Sequence, residues 1–332
     1  MDNATHTLTG LALSRAGLHR YVPHAGFLLM LAANIPDIDM VSMFQGPLRN
    51  LQVHRGYTHC LIGLPFVAVL PVLVTASVFR TRLPWVAAWC LSAIGVASHL
   101  LIDSTNSYGV RLLLPFSSAW SYLDLFSLFD YPLLAVLLFC SLAPMLGKLV
   151  SVEIGSKSGT GRGFATVALA FFLLLGGFRG LMHSRAIAQL NSRLYGDGTE
   201  GPSLRTASLP KAATPLSWYG IVETERAFRL YDVPALSNFD PASTRPLYKS
   251  PWNDRFEAVS RTSRGKYFLY FARFPYWKEE PAATREKLHL ITVTDLRFGA
   301  PGESFLELRA LVDEQNHVRG IALGSRPLEP AN

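Results

Sequence analysis

The feature that most limits what this chain can fold into is a set of four apolar runs, residues 60–79, 84–102, 132–149 and 164–181. Each is about 18 to 20 residues long, enough for a helix to cross roughly 30 Å of hydrocarbon. In lipid a backbone must satisfy its own hydrogen bonds, so such runs predict a multi-pass transmembrane helical bundle. The acidic residues follow the same division: of 24 Asp and Glu, only Asp2, Asp37, Asp39, Asp103, Asp124, Asp130 and Glu153 precede residue 182. Beyond residue 195 the text turns to Gly, Pro and Ser and then to short alternating segments. The expected fold class is therefore mostly α, with a membrane-embedded domain over 1–185, a linker over 186–215 and a soluble α+β, β-rich domain over 216–332.

Smaller elements can be read by their punctuation. Residues 4–18 predict a short helix capped by Asn3 or Thr5 and closed at Gly17, and 24–35 form a second apolar piece that stops before Pro36. Neither is long enough to span alone, and together they suit a shallow re-entrant pair. Residues 155–163 read as a Gly/Ser linker. In the C-terminal part, strands are predicted at 217–223, 227–232, 289–297, 305–312 and 318–324, with 306–323 as a hairpin and 253–261 as a helix. The aromatic stretch from Tyr267 to Trp277 suits a core or a membrane-resting face. Cys60, Cys90 and Cys140 are scattered through apolar sequence and suit packing. The first residues lack a basic region leading into an apolar core, so no cleavable signal is expected.

The first hundred residues repeatedly place ionisable groups where apolar sequence would otherwise continue. His99 and Asp103 are four apart in a predicted helix, which puts them on one face about one turn apart. His6, the pair Asp37 and Asp39, and His54 with His59 come from other segments. In an extended segment Asp37 and Asp39 would share a side, and Gly56 would let the chain bend between a loop-borne His54 and a His59 on the first turn of a spanning helix. Each of these alone has an ordinary reading as a satisfied buried His or a helix cap. As a set, hard-to-bury groups call for a shared reason, and a divalent cation supplies one. Nearby cationic and acidic residues add further candidates: Arg55 and Arg111 to neutralise an anionic substrate, Asp39 and Asp124 to take a proton. Asp130 is a further candidate ligand or base, and Trp120 an interfacial anchor. Arg179 and His183 suit a helix-end pair facing the outer interface.

Arg80 and Arg82, then Lys148, Lys157 and Arg162, mark the cytoplasmic side by the positive-inside rule. The seven candidate ligands then fall at the opposite, outer ends of their segments, and the C-terminal domain is extracytoplasmic. The net charge of +7 suits anionic lipid, and no motif supports nucleic-acid binding.

The motifs His6-Thr7-Leu8-Thr9-Gly10, Asn34-Ile35-Pro36-Asp37-Ile38-Asp39, His54-Arg55-Gly56-Tyr57-Thr58-His59 and His99-Leu100-Leu101-Ile102-Asp103 together resemble the YdjM-type family of membrane-bound, metal-dependent hydrolases, some of them LexA-regulated. The resemblance covers about residues 1–185 and implies a bacterial inner membrane and a hydrolytic reaction class, with no substrate. The same order of ligands is similar to the zinc-dependent phospholipase C and P1 nuclease group. In that likeness His6 takes the place of the early His, Asp37 or Asp39 the bridging Asp, His54 or His59 the next His, and His99 with Asp103 the His-x-x-x-Asp helix. The later His and His-x-x-x-Glu of that group have no counterpart after Asp103, which implies one or two ions.

The reading that follows is a membrane-bound metal-dependent hydrolase. Its metal ligands are His6, Asp37, Asp39, His54, His59, His99 and Asp103, holding one or two divalent ions, with zinc favoured by the mixed donors. Its expected partners are membrane lipid and a small-molecule or lipid-linked phosphoester. The alternative is an ion-handling or transport protein without hydrolytic activity, which predicts ligands scattered through the bilayer. A structural protein whose polar motifs staple helix ends predicts no metal.

Overall fold

Helix α1 (Asn3–Arg15) starts where the Asp2 carboxylate accepts the Thr5 amide at 2.9 Å, ahead of both expected caps, Asn3 and Thr5, in the computed structural model, which describes residues 1–153, 161–196, 202–282, 287–324 and 326–330. A short 3-10 turn at Leu18–Arg20 leads into α2 (Ala25–Ala32). The two helices pack closely because Gly10 has no side chain: a Cβ there would lie 2.5 Å from the Leu29 carbonyl oxygen. Asp37-Ile38-Asp39 is not extended as expected but lies in a 3-10 helix, Ile35–Gln45, where Pro36 supplies a φ suited to a first turn. The backbone is thus helical, yet donor oxygens of the two carboxylates still come within 4.8 Å of each other.

Next come α3 (Pro47–Val53), a 3-10 turn at Tyr57–His59, α4 (Leu64–Val67), α5 (Val69–Val78), α6 (Trp85–Ser104), α7 (Tyr131–Glu153) and α8 (Arg162–Asn191). The run 60–79 is thus not one straight helix begun by His59. Residues 60–63 turn, and the helix restarts at Leu64 with Pro65 in its first turn, where a missing N–H costs nothing.

Among the described residues three helical stretches are long and apolar enough to cross a membrane: α6, residues Tyr131–Lys148 of α7, and α8. Two bent pairs pass the same test together, Ala25–Ala32 with Ile35–Gln45 at 43°, and Pro47–His59 with Leu64–Val78 at 87°. Only 22% of the apolar window of α7, and the same share of α8, is buried, so most of each helix presents hydrocarbon outward, a surface that lipid satisfies and water does not. Inside, Ala32, Ala68, Val96 and Leu100 form one buried cluster, and Ile102, Phe126, Leu133, Leu137 and Leu175 another.

Two units emerge from the packing. One comprises Met1–Val41, Val53–His183 and Pro210–Ser217, the other Ser42–Gln52, Ser184–Leu209 and Trp218–Asn332. The second unit contains the β-rich part. Strands β1 (Ser203–Pro210), β2 (Ser217–Thr224), β3 (Ala227–Pro234) and β4 (Leu247–Tyr248) make one sheet in that order. Helix α9 (Asp254–Arg261) is capped by Asn253 and α10 (Ser263–Phe271) by Thr262. Strands β5 (Pro275–Pro281), β6 (His289–Asp295), β7 (Glu307–Val312) and β8 (Val318–Leu323) form an antiparallel sheet whose last pair is the predicted hairpin. The stretch expected as a linker, 186–215, holds the end of α8 and all of β1. Residues 155–160 of the expected Gly/Ser linker, with Lys157, lie outside the described residues.

Candidate metal centre

The stretches that carry the expected ligands converge in the first unit. His99 and Asp103 sit on one face of α6, a turn apart and fully buried. The 3-10 helix brings Asp37, the turn at Tyr57–His59 brings His59, and α1 brings His6. Four of these side chains point donor atoms at a common centre. His59 Nε2 faces His99 Nε2 at 3.1 Å, and Asp37 Oδ1 lies 3.4 Å from His59 Nε2 and 3.7 Å from His99 Nε2. Asp103 Oδ2 lies 3.8 and 3.5 Å from the same two nitrogens. Donors about 2.0 Å from a tetrahedral transition-metal ion are about 3.3 Å from one another. The spacing therefore fits a cation held between the four.

Hydrogen bonds on the far sides of the rings fix which nitrogen faces inward. His99 Nδ1 donates to the Ala33 carbonyl at 2.7 Å, leaving the Nε2 lone pair toward the centre. His59 Nδ1 lies 3.2 Å from Asp39 Oδ2 and 2.9 Å from the Thr58 hydroxyl, the carboxylate–histidine arrangement that orients a metal ligand. Asp39 also accepts from His54 Nδ1 at 2.8 Å, from the Arg55 amide at 3.0 Å and from Thr58 Oγ1 at 2.6 Å. A second potential ligand group, Asp37, Asp39 and His54, shares Asp37 with the first, so Asp37 is placed to serve both.

His6 stacks on His99 with ring centroids 3.9 Å apart, and its Nε2 lies 3.3 Å from Asp103 Oδ1. Among the described residues neither of its nitrogens makes a hydrogen bond, although both are buried. Burial first, and then the stacked His99, push the His6 imidazole down to about 4. It is therefore neutral near pH 7, the form in which imidazole ligates a metal. The amino nitrogen of Met1 also contacts Asp103 Oδ1. Buried orphan donors and paired carboxylates are what a bound cation would satisfy.

Arg55 is built into the centre, only 4% exposed. Its guanidinium bonds Asp103 Oδ2 at 3.0 Å, the Asn106 side chain at 3.1 Å and the Gly109 carbonyl at 3.2 Å, with the Tyr108 ring 4.7 Å away. The bend expected at Gly56 is made by Arg55, whose φ is +56°. Gly56 serves close approach, since a Cβ there would meet the Val53 oxygen at 2.7 Å and the Arg111 guanidinium at 3.0 Å. Arg111 donates to the His54 carbonyl at 3.3 Å and lies over Trp120, so it braces the ligand-bearing turn. Asp124 is buried at φ +55°, between Leu123 and Leu125, whose amides bond the Ser104 and Thr105 carbonyls just after Asp103.

Other expectations are corrected. Arg179 is not an interfacial partner of His183 but is wholly buried in an ion pair with Asp130, which also caps the Leu133 amide. Asp130 is thereby committed to structure. Thr58, Asn106 and the Ala33 carbonyl are parts of the centre that residue spacing does not reveal.

A membrane protein with long lipid-facing helices and a buried His/Asp centre able to hold a divalent cation is the class that fold and site define. The chain belongs to the YdjM family, whose description is "YdjM inner membrane protein" and whose profile matches residues 1–186. It is 29% identical over 138 residues to the uncharacterized protein YfhP of Bacillus subtilis, a match covering 39% of this chain and 42% of YfhP. It is 34% identical over 98 residues to the inner membrane protein YbcI of Escherichia coli, covering 29% of this chain and 56% of YbcI. The chain thus spans about half the length of the curated relatives it matches. No solved structure matches it, and the likeness to the phospholipase C and P1 nuclease group rests on ligand order alone.

Proposed function

We propose that the chain is an inner-membrane, metal-dependent hydrolase that cleaves a phosphoester of a lipid or lipid-linked substrate at the membrane interface. The observation that carries this reading is the convergence of His59, His99, Asp37 and Asp103 from three separate stretches of chain on one buried point. A transport path would string such groups out along the crossing; their gathering supports a fixed centre.

His6, Asp37, His59, His99 and Asp103 would hold one ion, and Asp37 with Asp39 and His54 a second. Mixed imidazole and carboxylate donors favour zinc. When bound, a divalent ion supplies Lewis acidity toward a phosphoryl oxygen and an acidified water. The protein's own groups do the rest. Arg55 meets the negative charge of substrate beside Asp103, and Arg111 holds the turn that presents Arg55 and His54. Asp39, fixed by its four donors, acts as a positioning residue for both histidines, which leaves Asp124 as the candidate proton acceptor.

The substrate class follows from what flanks the ligands. Ile38, Met40 and Val41 beside the two Asp residues, and Tyr57, Leu61 and Ile62 beside His59, are all exposed and apolar. Exposed apolar side chains next to the ligands in the chain suit an amphiphile as substrate. The positive-inside pattern supports an outer-face position for this rim.

The test is elemental analysis of the full chain purified in detergent, wild type against His99→Ala and Asp103→Ala, followed by phosphodiesterase assays on lipid extracts. The expected result is stoichiometric metal in the wild type, its loss in both variants, and metal-dependent phosphate-ester cleavage. If the wild type carries no more metal than the variants, the reading fails.

A further inference from the structure

The second unit contains a cavity of about 350 Å³ that the metal centre does not use. One wall is Phe44–Gln52, the end of the 3-10 helix and most of α3 joined at Gly46, and the other lining residues are Arg264 of α10, Arg326 and Glu329. With Arg49, three arginines and one glutamate line it. Arg264 is paired with Glu329. Among the described residues no carboxylate pairs with Arg49 or Arg326, so two positive charges at the cavity are uncompensated. The wall is anchored: the Tyr267 hydroxyl donates to the Gln52 carbonyl at 3.2 Å, and Ser42 bonds Asn50 at 3.2 Å.

We propose that this cavity binds the phosphate headgroup of an anionic phospholipid. Two observations select a lipid over a free anion. Phe44, 92% exposed, stands at the cavity together with Leu48, so apolar surface adjoins the cationic groups as acyl chain adjoins phosphate. The Phe44–Gln52 wall is also the place where one bent membrane-entering pair ends, at Gln45, and the next begins, at Pro47. A turn between two such segments lies at headgroup depth, where guanidinium groups meet lipid phosphate bidentately. The volume falls at the lower end of small-ligand pockets, roughly 300–1,000 Å³. Residues 42–52 join the stretch carrying Asp37 and Asp39 to the one carrying His54 and His59, so a lipid held here would steady the span of chain between the two ligand pairs.

The test is native mass spectrometry of the full chain reconstituted in nanodiscs of equal phosphatidylglycerol and phosphatidylcholine, with retained lipid counted. Wild type should keep phosphatidylglycerol in preference to phosphatidylcholine. Arg49→Ala with Arg326→Ala should weaken that retention roughly thirtyfold, at about fivefold per cationic side chain near an anionic surface. Arg49→Lys with Arg326→Lys should restore most of it, which separates lost charge from lost folding. Phe44→Ala should weaken phosphatidylglycerol retention as well. Equal retention in wild type and the double alanine variant overturns the proposal. So does full displacement of the lipid by millimolar inorganic phosphate with no effect of Phe44→Ala, which would make the cavity a site for the free anion. His99→Ala should retain the lipid as wild type does; parallel loss there would place the lipid at the metal centre instead. The result is thus independent of whether the centre is hydrolytic.

Discussion

Asp39 shows how much of the centre depends on a residue that does not face its middle. Its carboxylate takes bonds from His54, His59, Thr58 and the Arg55 amide, so one side chain sets the rings of two ligand histidines and the turn that bears them. Asp39→Asn preserves its size but places an N–H where these donors converge. Metal affinity should fall about 10–100-fold, the usual cost of losing such an orienting partner, while His99→Ala should abolish binding. Competition with a chelator of known affinity measures both. An Asp39→Asn protein that binds metal as tightly as wild type would make the carboxylate a bystander. The charged members of this set are legible in the sequence because an ionisable residue in an apolar run has few innocent uses. Asn106 and Thr58 are not, since uncharged polar residues are ordinary in turns, and the Ala33 carbonyl has no side-chain signature at all. Nor does spacing reveal that Arg55 itself takes the left-handed turn beside Gly56.

Between elements, the decisive contact of the bundle is the ion pair of Arg179 on α8 with Asp130 at the start of α7, both fully buried. Removing one partner strands the other's charge, which costs about 3–5 kcal/mol, whereas replacing both with apolar side chains of similar volume removes that penalty. Arg179→Met should therefore lower resistance to unfolding in detergent more than the double variant Arg179→Met with Asp130→Leu does. A single variant as stable as the double would mean the pair is solvated. In the β7–β8 turn, Asp313 accepts from the His317 and Gln315 amides and from Arg319. Desolvation works the other way, yet those donors hold its carboxyl below the usual range. A depressed folded value means that the stabilisation is present above the unfolded carboxylate's pKa, near 3.9, and is lost as pH falls through the lower folded one. The melting-temperature gap between wild type and Asp313→Asn should accordingly be open at pH 6 and close in strong acid. That hairpin is legible from alternation around a polar turn. Strand β1 is not, because its burial runs as three exposed residues, one half-buried and then three buried, and so shows no alternation. The backbone of the Asp37 stretch misleads for another reason: an Asp-x-Asp after proline suits an extended chain and a helical first turn equally.

At the scale of the molecule, the sequence shows where the chain meets lipid more clearly than how often it crosses. Runs 84–102, 132–149 and 164–181 become α6, α7 and α8, but 60–79 becomes a broken pair bent by 87°, since hydropathy measures length and composition and is blind to a turn inside a run. Orientation is more robust than the count. Arg80 and Arg82 precede α6, and Lys148 in the last part of α7 and Arg162 at the first residue of α8 flank the next connection, so α6 and α7 together would return the chain to the side it left. The positive-inside rule expects both groups on the cytoplasmic side whatever the bent pairs do, and with them the 105–130 connection and everything after α8 on the outer side. A phosphatase reporter fused after Asn332 should be active and a fluorescent one dark. Impermeant maleimide on intact cells should label Ser117→Cys and spare Thr81→Cys in a background lacking the exposed native Cys90. The opposite labelling pattern would place the metal centre on the cytoplasmic face and exclude any substrate confined to the outer leaflet. The two cysteine positions are separated only by α6, so they must differ if that helix crosses at all, and labelling of both or of neither would remove α6 from the spanning set.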